Sequence, residues 1–291
     1  MLHSITLQLL SRLLNERKPD SHKNDYGNAL LVAGSRGMMG AALLSARACM
    51  RSGVGLLTVR VPRCGYEIMQ LGIPEAKCDT DERSDRHSYI ELDNNVDALA
   101  IGPGLGLHEE TQQALRQLLE HGMQKPGLPA PALVLDADAL NILSLHPSLF
   151  DLLPRDTLLT PHPGEAKRLL NATGCSNCTE LAMRYKIVVV LKGHQTLIHL
   201  PNGDGYRNEE WGNAGMAVGG SGDTLTGILL GLRAQGYSAK DAAILGVALH
   251  AMAGDLAIQE GGQSEESLLP SDMINWLGRA FACVADAASD E

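Results

Sequence analysis

An α/β domain with a mostly parallel central sheet, helices on both faces and a short antiparallel edge is what this 291-residue sequence predicts. Three observations predict it. Apolar, β-branched runs alternate with helical patterns along nearly the whole chain, and strands separated by helices of that length form βαβ units. No linker-like composition, and no repeat with a period of roughly 20–50 residues, divides the sequence, so one domain over 1–291 is expected. Hydrophobic residues make up 44% of the chain, enough at this length to bury a large core.

Taken in order, the N-terminal MLHSITLQLLSRLLNERK sets Leu and Arg at helical spacing. Glu16 and the absence of a cleavage-like region argue against a transit peptide, so a helix over about 4–18 is expected. ALLVAGS (29–35) reads as a buried strand, MGAALLSARACMRSG (39–53) as a helix and GLLTVRVP (55–62) as the next strand. VDALAIGPG, EETQQALRQLLEHG, PALVLDAD, DALNILSL, DTLLTPH, GEAKRLLN and IVVVLKG continue the alternation. TLIHL and YRNEE flank Asn202-Gly203-Asp204-Gly205, a turn signature that makes them an antiparallel hairpin. Two helices follow, TLTGILLGLRAQG and KDAAILGVALHAMAGDLAIQEG, the second apolar nearly all round and therefore buried. The small, polar ADAASDE (285–291) reads as a frayed tail.

The formal net charge of −10, with no basic stripe, disfavours nucleic acid and anionic membrane surfaces as partners; an anionic ligand has to be held locally. No run of about 18 uncharged apolar residues suggests a membrane span. Six cysteines in a chain of this size do not resemble a disulfide framework, so a reducing, cytoplasmic compartment is expected. Cys175 and Cys178 have the spacing of a redox or zinc half-site. They lack the second ligand pair of a zinc site and the strand-then-helix setting of a redox motif, and read as an incidental loop pair.

The densest chemistry lies in GNAGMAVGGSGD (212–223). A glycine turn opening a helix presents unpaired backbone N–H groups at the positive end of the helix dipole, an anion site that needs no lysine. Asp223 behind Gly220, Ser221 and Gly222 reads equally as a helix cap or as a base acting beside that site. GSRGMMGAA (34–42) also opens a helix after a strand but lacks the Lys-Ser/Thr of a P-loop. A dinucleotide turn would want an acid ending the next strand, where TVRVP offers Arg60. Gly102-Pro103-Gly104-Leu105-Gly106 is either a tight turn or a place where a ligand approaches backbone. Asp136 and Asp138 stand at a strand's carboxyl end, where a ligand or Mg²⁺ lies in such sheets, although Asp138 also suits a helix cap. Two prolines hold His162 on a stiff turn. Glu165 three residues on favours a helix N-terminus. Lys192-Gly193-His194-Gln195-Thr196 leaves a strand and is either a phosphate contact or a hairpin corner with a solvated lysine.

GNAGMAVGGSGD resembles the anion-hole motif of the ribokinase-like superfamily, and in its longer form it is similar to the ADP- or ATP-dependent NAD(P)H-hydrate dehydratase family. HKNDYG, GSRGMMGAA, GPGLG, LDADALN, TPHPGE and LKGHQT agree in the family's order, so the resemblance runs from about Ser21 to Leu277. It implies a three-layer ribokinase-like fold and repair of the hydrates NADHX and NADPHX to NADH and NADPH at the expense of ADP or ATP. By the same resemblance Asp223 is the base and Gly220, Ser221 and Gly222 the anion hole. Ala41, Gly104, Gly106, Asp138, Asn141 and His162 join Asp223 on the substrate side, and Lys192, Gly193, His194, Gln195 and Thr196 join Gly222 on the AMP part of the nucleotide. Glu165 acts on Mg²⁺ through water.

The resemblance further implies a homotetramer and, because the family often carries an N-terminal epimerase domain for which this length leaves no room, a functional link to a separate NAD(P)H-hydrate epimerase. The chain departs from the family at Asn24, Ala214 and Val218, where Gly, Pro and Thr are usual. The last loses a hydroxyl beside the anion hole. A small-alcohol kinase of the hydroxyethylthiazole-kinase type and a non-catalytic nucleotide sensor are the competing readings.

Overall fold

The computed structural model describes residues 1–123 and 130–289. Ten strands are β1 (Leu2–Ser4), β2 (Asn28–Val32), β3 (Leu56–Val61), β4 (Lys77–Thr80), β5 (Ala98–Ile101), β6 (Ala132–Leu135), β7 (Leu158–Leu159), β8 (Val188–Leu191), β9 (Leu197–His199) and β10 (Gly205–Arg207). They form one sheet in the order β1-β10-β9-β8-β7-β6-β5-β2-β3-β4, and only β9 runs against its neighbours. The helices are α1 (Leu7–Leu13), α2 (Met39–Arg51), α3 (Tyr66–Gly72), α4 (Glu109–Gln117), α5 (Asp138–Leu145), α6 (Pro163–Thr173), α7 (Cys178–Tyr185), α8 (Ser221–Ala234), α9 (Ala239–Gln259) and α10 (Pro270–Ser289).

The central strands bury both faces. On β2, Ala29 and Leu31 enter one core while Leu30 and Val32 enter the other, as the two-residue period of a strand requires. The first core holds α1, α2, α8, α9 and α10, and the second holds α4 to α7. On β5 the residues facing the first core are Ala98 and Ala100, small enough for α8 to lie against the strand. Helix α8 also packs on α2 through glycine. A Cβ at Gly227 would overlap the Ser45 carbonyl oxygen, and one at Gly231 would come 2.9 Å from that of Cys49. Helix α9 is long and apolar enough to cross a membrane by length and composition, but 83% of that window is buried inside the fold, which makes it a core helix.

Two expectations are corrected. The N-terminal helix expected over about 4–18 covers only Leu7–Leu13, capped by Thr6, because Leu2–Ser4 leaves it to pair with β10. There the Met1 ammonium lies 2.9 Å from Asp204 and the His3 ring contacts Tyr206, so the β9–β10 hairpin is covered by one further parallel strand. The tail expected to fray from about 285 remains helical to Ser289, and 290–291 lie outside the described residues. Cys175 and Cys178 are free, buried thiols; Arg184 donates to Cys175 Sγ (3.5 Å), and burial pushes the Cys178 thiol up.

Candidate active site

Strands β8, β7, β6, β5 and β2 are adjacent and parallel except for the turn into β9, so the loops leaving their carboxyl ends line one edge of the sheet. Those loops carry Lys192, His162, Asp136 with Asp138, Gly104 with Gly106, and the 34–41 segment. Helix α8 begins against this edge with the glycine turn.

The helix starts at Gly220, whose φ of 97° only glycine adopts comfortably. That places Asp223 in the first turn, two residues past the first helical position, and removes the reading of it as the cap. The Ser221 N–H is committed to Val218 O (3.2 Å), whereas helix geometry leaves the amides of Gly222 and Asp223 without intrahelical acceptors. The anion hole expected from Gly220, Ser221 and Gly222 is thus narrower on its Ser221 side. Ser45 Oγ on α2 donates to the Asp223 carbonyl (2.9 Å) and ties the two helices together at the turn. Burial first, then repulsion from Asp136, Asp138 and Glu165, outweighs the attraction of Lys192 and raises the Asp223 carboxyl to about 6. A carboxylate poised there is suited to taking a proton near neutral pH.

Asp136 is 1% exposed and accepts from Lys192 Nζ (2.7 Å) and Thr226 Oγ1 (2.6 Å). Between the two acids Ala137 takes a φ of 49°, unfavourable for alanine, and this kink sends Asp136 toward α8 and Asp138 toward the next loop. Asp138 accepts from the Gly106 amide (2.8 Å) and from Asn141 Nδ2 (3.2 Å), while Arg168 Nη2 donates to Asn141 Oδ1 (2.8 Å). Asp138 and Asn141 therefore brace the glycine loop. Gly104 faces Ala41: a Cβ at Gly104 would lie 3.1 Å from that of Ala41, so the two leave a narrow apolar floor.

His162 caps α6. Its Nδ1 accepts from the Gly164 amide (3.0 Å), which leaves Nε2 as the N–H donor, and the side chain is 53% exposed. The buried Glu165 accepts from the His162 amide (2.8 Å), and burial raises its carboxyl above the usual range against the pull of Lys192. Among the described residues no three His, Cys, Asp or Glu side chains converge as metal ligands. With one Glu165 oxygen already engaged, the residues suit a divalent ion held chiefly by phosphates and water.

Lys192 overturns the idea of a solvated corner. Its ammonium crosses the end of β7 to Asp136 and sits where a Cβ on Gly222 would come within 3.1 Å of it. Gly193, His194 and Gln195 stay exposed, and Thr196 Oγ1 donates to Gly193 O (3.1 Å), so of this run only Lys192 reaches the acids. Lys192→Met is consequently expected to destabilise the ligand-free protein by roughly 1–3 kcal/mol, the cost of a buried acceptor left short of its partner, and so to lower its melting temperature. A thermal melt of the apo variant checks this, and an unchanged midpoint would contradict it.

Two residues at the site carry no local sequence signal. Thr226 lies one helical turn beyond Gly222. His250, within the apolar stretch of α9, places Nε2 3.3 Å from Ser221 Oγ; burial, with Lys192 nearby, lowers it to about 4 and keeps it neutral. A lone histidine in such a helix reads as core, and only the packing of α9 on α8 brings it to the turn.

The family model for NAD(P)H-hydrate dehydratase matches residues 29–276. The chain belongs to the NAD(P)H-hydrate dehydratase family. The dehydratase-family fold is also shared as a whole with a solved ADP/ATP-dependent NAD(P)H-hydrate dehydratase from Bacillus subtilis, co-crystallized with ATP/Mg²⁺. That structure is 33% identical, with a TM-score of 0.81 over 97% of this chain and 98% of the other. A ribokinase-like superfamily protein from Enterococcus faecalis aligns with a TM-score of 0.80 at 28% identity, over 98% of this chain and 97% of that one, so the architecture is ribokinase-like. The bifunctional NAD(P)H-hydrate repair enzyme of Moorella thermoacetica is 39% identical over 279 residues. That match takes in 91% of this chain and 51% of the relative, so this dehydratase-family chain spans about half the length of such bifunctional relatives.

Proposed function

We propose that the protein converts NADHX and NADPHX to NADH and NADPH, with ADP or ATP as phosphoryl donor. The observation that carries this is the Asp223 carboxyl, raised to about 6 and set in the first turn of α8 beside the free amide of Gly222 and the ammonium of Lys192. Asp223 takes the proton of the ring hydroxyl as its oxygen attacks the terminal phosphorus. The bond from that phosphorus to its bridging oxygen breaks, and AMP or ADP leaves. Phosphate then leaves this ester with the carbon–oxygen bonding pair, a proton is lost from the neighbouring ring carbon, and the ring double bond returns. Phosphorylation is useful because phosphate leaves far more readily than hydroxide.

The chain's own residues supply position and charge. The α8 amides and Lys192 hold the transferred charge, Ala41 with Gly104 shapes the floor for the ring, and His162 offers an N–H to the substrate. Mg²⁺, with Glu165 contributing through water, would neutralise the phosphates. A homotetramer in the cytoplasm, functionally linked to NAD(P)H-hydrate epimerase activity, completes the reading. The direct test adds NADHX, Mg²⁺ and either nucleotide and follows absorbance in the NADH band. Accumulation of a phosphorylated product without that absorbance would instead identify a small-alcohol kinase.

His162→Ala is expected to weaken hydrate binding by roughly 1–3 kcal/mol, the worth of a hydrogen bond whose partner stays buried, and to leave ADP affinity nearly unchanged. Separate titrations with NADHX and ADP decide the matter. A defect confined to ADP would remove His162 from the substrate side.

A further inference from the structure

Lysine has four rotatable bonds, and fixing its ammonium costs about 2 kcal/mol of side-chain entropy. Lys192 opens a turn whose next three residues are exposed, so nothing in its own segment holds it over the site. What holds it comes from two other elements. Asp136, at the end of β6, accepts from Nζ (2.7 Å), and the second Asp136 oxygen accepts from Thr226 Oγ1 on α8 (2.6 Å). Thr226 is also 3.2 Å from Gly222 O, but its single proton serves the shorter contact to the carboxylate. Asp136 and Thr226 are both buried, and the Asp136 amide is itself fixed by Ile101 O (3.1 Å), so the carboxylate has one orientation.

We propose that Asp136 and Thr226 are positioning residues whose function is to hold the Lys192 ammonium against Gly222, making the lysine and the start of α8 one composite phosphate site. Asp136 takes one of three N–H donors and leaves two for an anion. A residue with a side chain at 222 would press on the ammonium, which accounts for glycine there beyond its backbone freedom. Because Asp136 offsets the charge of Lys192, the anchor does not strengthen the local field; it fixes where the cation stands. The inference rests on the nucleotide role of Lys192 given above.

The test titrates ADP with Mg²⁺ against the unsubstituted protein and against Asp136→Asn, Thr226→Val, Thr226→Ser, Lys192→Met and the Asp136→Asn/Lys192→Met double variant. Asp136→Asn is expected to weaken ADP binding roughly tenfold or more, the scale of one charge-assisted hydrogen bond. Thr226→Val weakens it several-fold, and Thr226→Ser, which keeps the hydroxyl, restores it. In the Lys192→Met background Asp136→Asn has no further effect, since residues acting through one group are not additive. Full additivity in that cycle, or unchanged ADP affinity in folded Asp136→Asn or Thr226→Val, overturns the proposal. Should Asp136→Asn fail to fold, the valine and serine variants at 226 decide it alone. If the parent protein itself binds no ADP, the nucleotide reading fails first, and that outcome is distinct because it appears before any variant is compared.

Discussion

Replacing Asp223 by Asn is expected to cut turnover by roughly 10²–10⁴-fold, the range for loss of a general base, in a protein that stays folded and still binds ADP. The amide is nearly isosteric and cannot take the hydroxyl proton. The side-chain donor that reaches this residue, Ser45 Oγ, bonds its backbone carbonyl, so among the described residues there is no hydrogen bond to the carboxylate to lose. Stability should move the other way. In the folded protein the Asp223 carboxyl titrates at about 6, well above its ordinary value, so its ionised form is disfavoured by folding. That cost is fully present above pH 6 and fades as pH falls toward the unfolded value. The uncharged variant should therefore be more stable than the parent by about 1–3 kcal/mol at pH 8, with the gain shrinking below pH 6 and gone near pH 4. Turnover and melting temperature measured across that range test both halves. Full activity in a folded Asp223→Asn protein would return Asp223 to a structural role.

The second large effect is expected from Gly227→Ala. Its Cβ would overlap the Ser45 carbonyl oxygen and lie 2.8 Å from the Ala48 side chain, and helix backbone cannot yield as a flexible side chain would. Forcing α2 and α8 apart should cost about 2–3 kcal/mol or more, within or above the usual range for overpacking. For a chain of this size that is a melting temperature lower by roughly 3–5 °C. Turnover should fall as well, because the same seam carries the Ser45 bond to Asp223. Gly278→Ala on the exposed face of α10, where a Cβ meets nothing within 4 Å, is the control and should be neutral or slightly stabilising. Equal behaviour of the two variants would show that the seam does not set the position of the turn.

The strands most readable from sequence were those with both faces covered. β2, β5, β6 and β8 appear as continuous apolar runs because neither side meets water. β1 and β4, three and four residues at the sheet's margins, leave no periodic pattern, and both went unread. At the site, the glycine turn, His162, the paired acids and Lys192 stand out because each follows a strand in a run of unusual residues. Their partners do not. Lys192 meets Asp136 across 56 residues, and Ser221 meets His250 across 29, distances no local spacing can announce. The role of Asp223 was ambiguous for a related reason. Among adjacent glycines the first helical residue is not fixed by composition, and it took the φ of Gly220 to place the cap three residues earlier.

Asp136, Asp138 and Glu165 act on the Asp223 carboxyl against the pull of Lys192, in a chain of net charge −10, and this bears on how ligands arrive. Nucleotides and nicotinamide dinucleotides are polyanions, so the long-range field of this protein repels them; the attraction of Lys192 and the α8 amides is felt only within a Debye length, about 8 Å at physiological salt. Electrostatic steering is therefore absent or inverted. Association should become faster as salt screens the repulsion, the opposite of a steered enzyme. Rapid capture from dilute solution gives way to discrimination at contact, where a ligand that brings its own divalent counterion meets the least resistance.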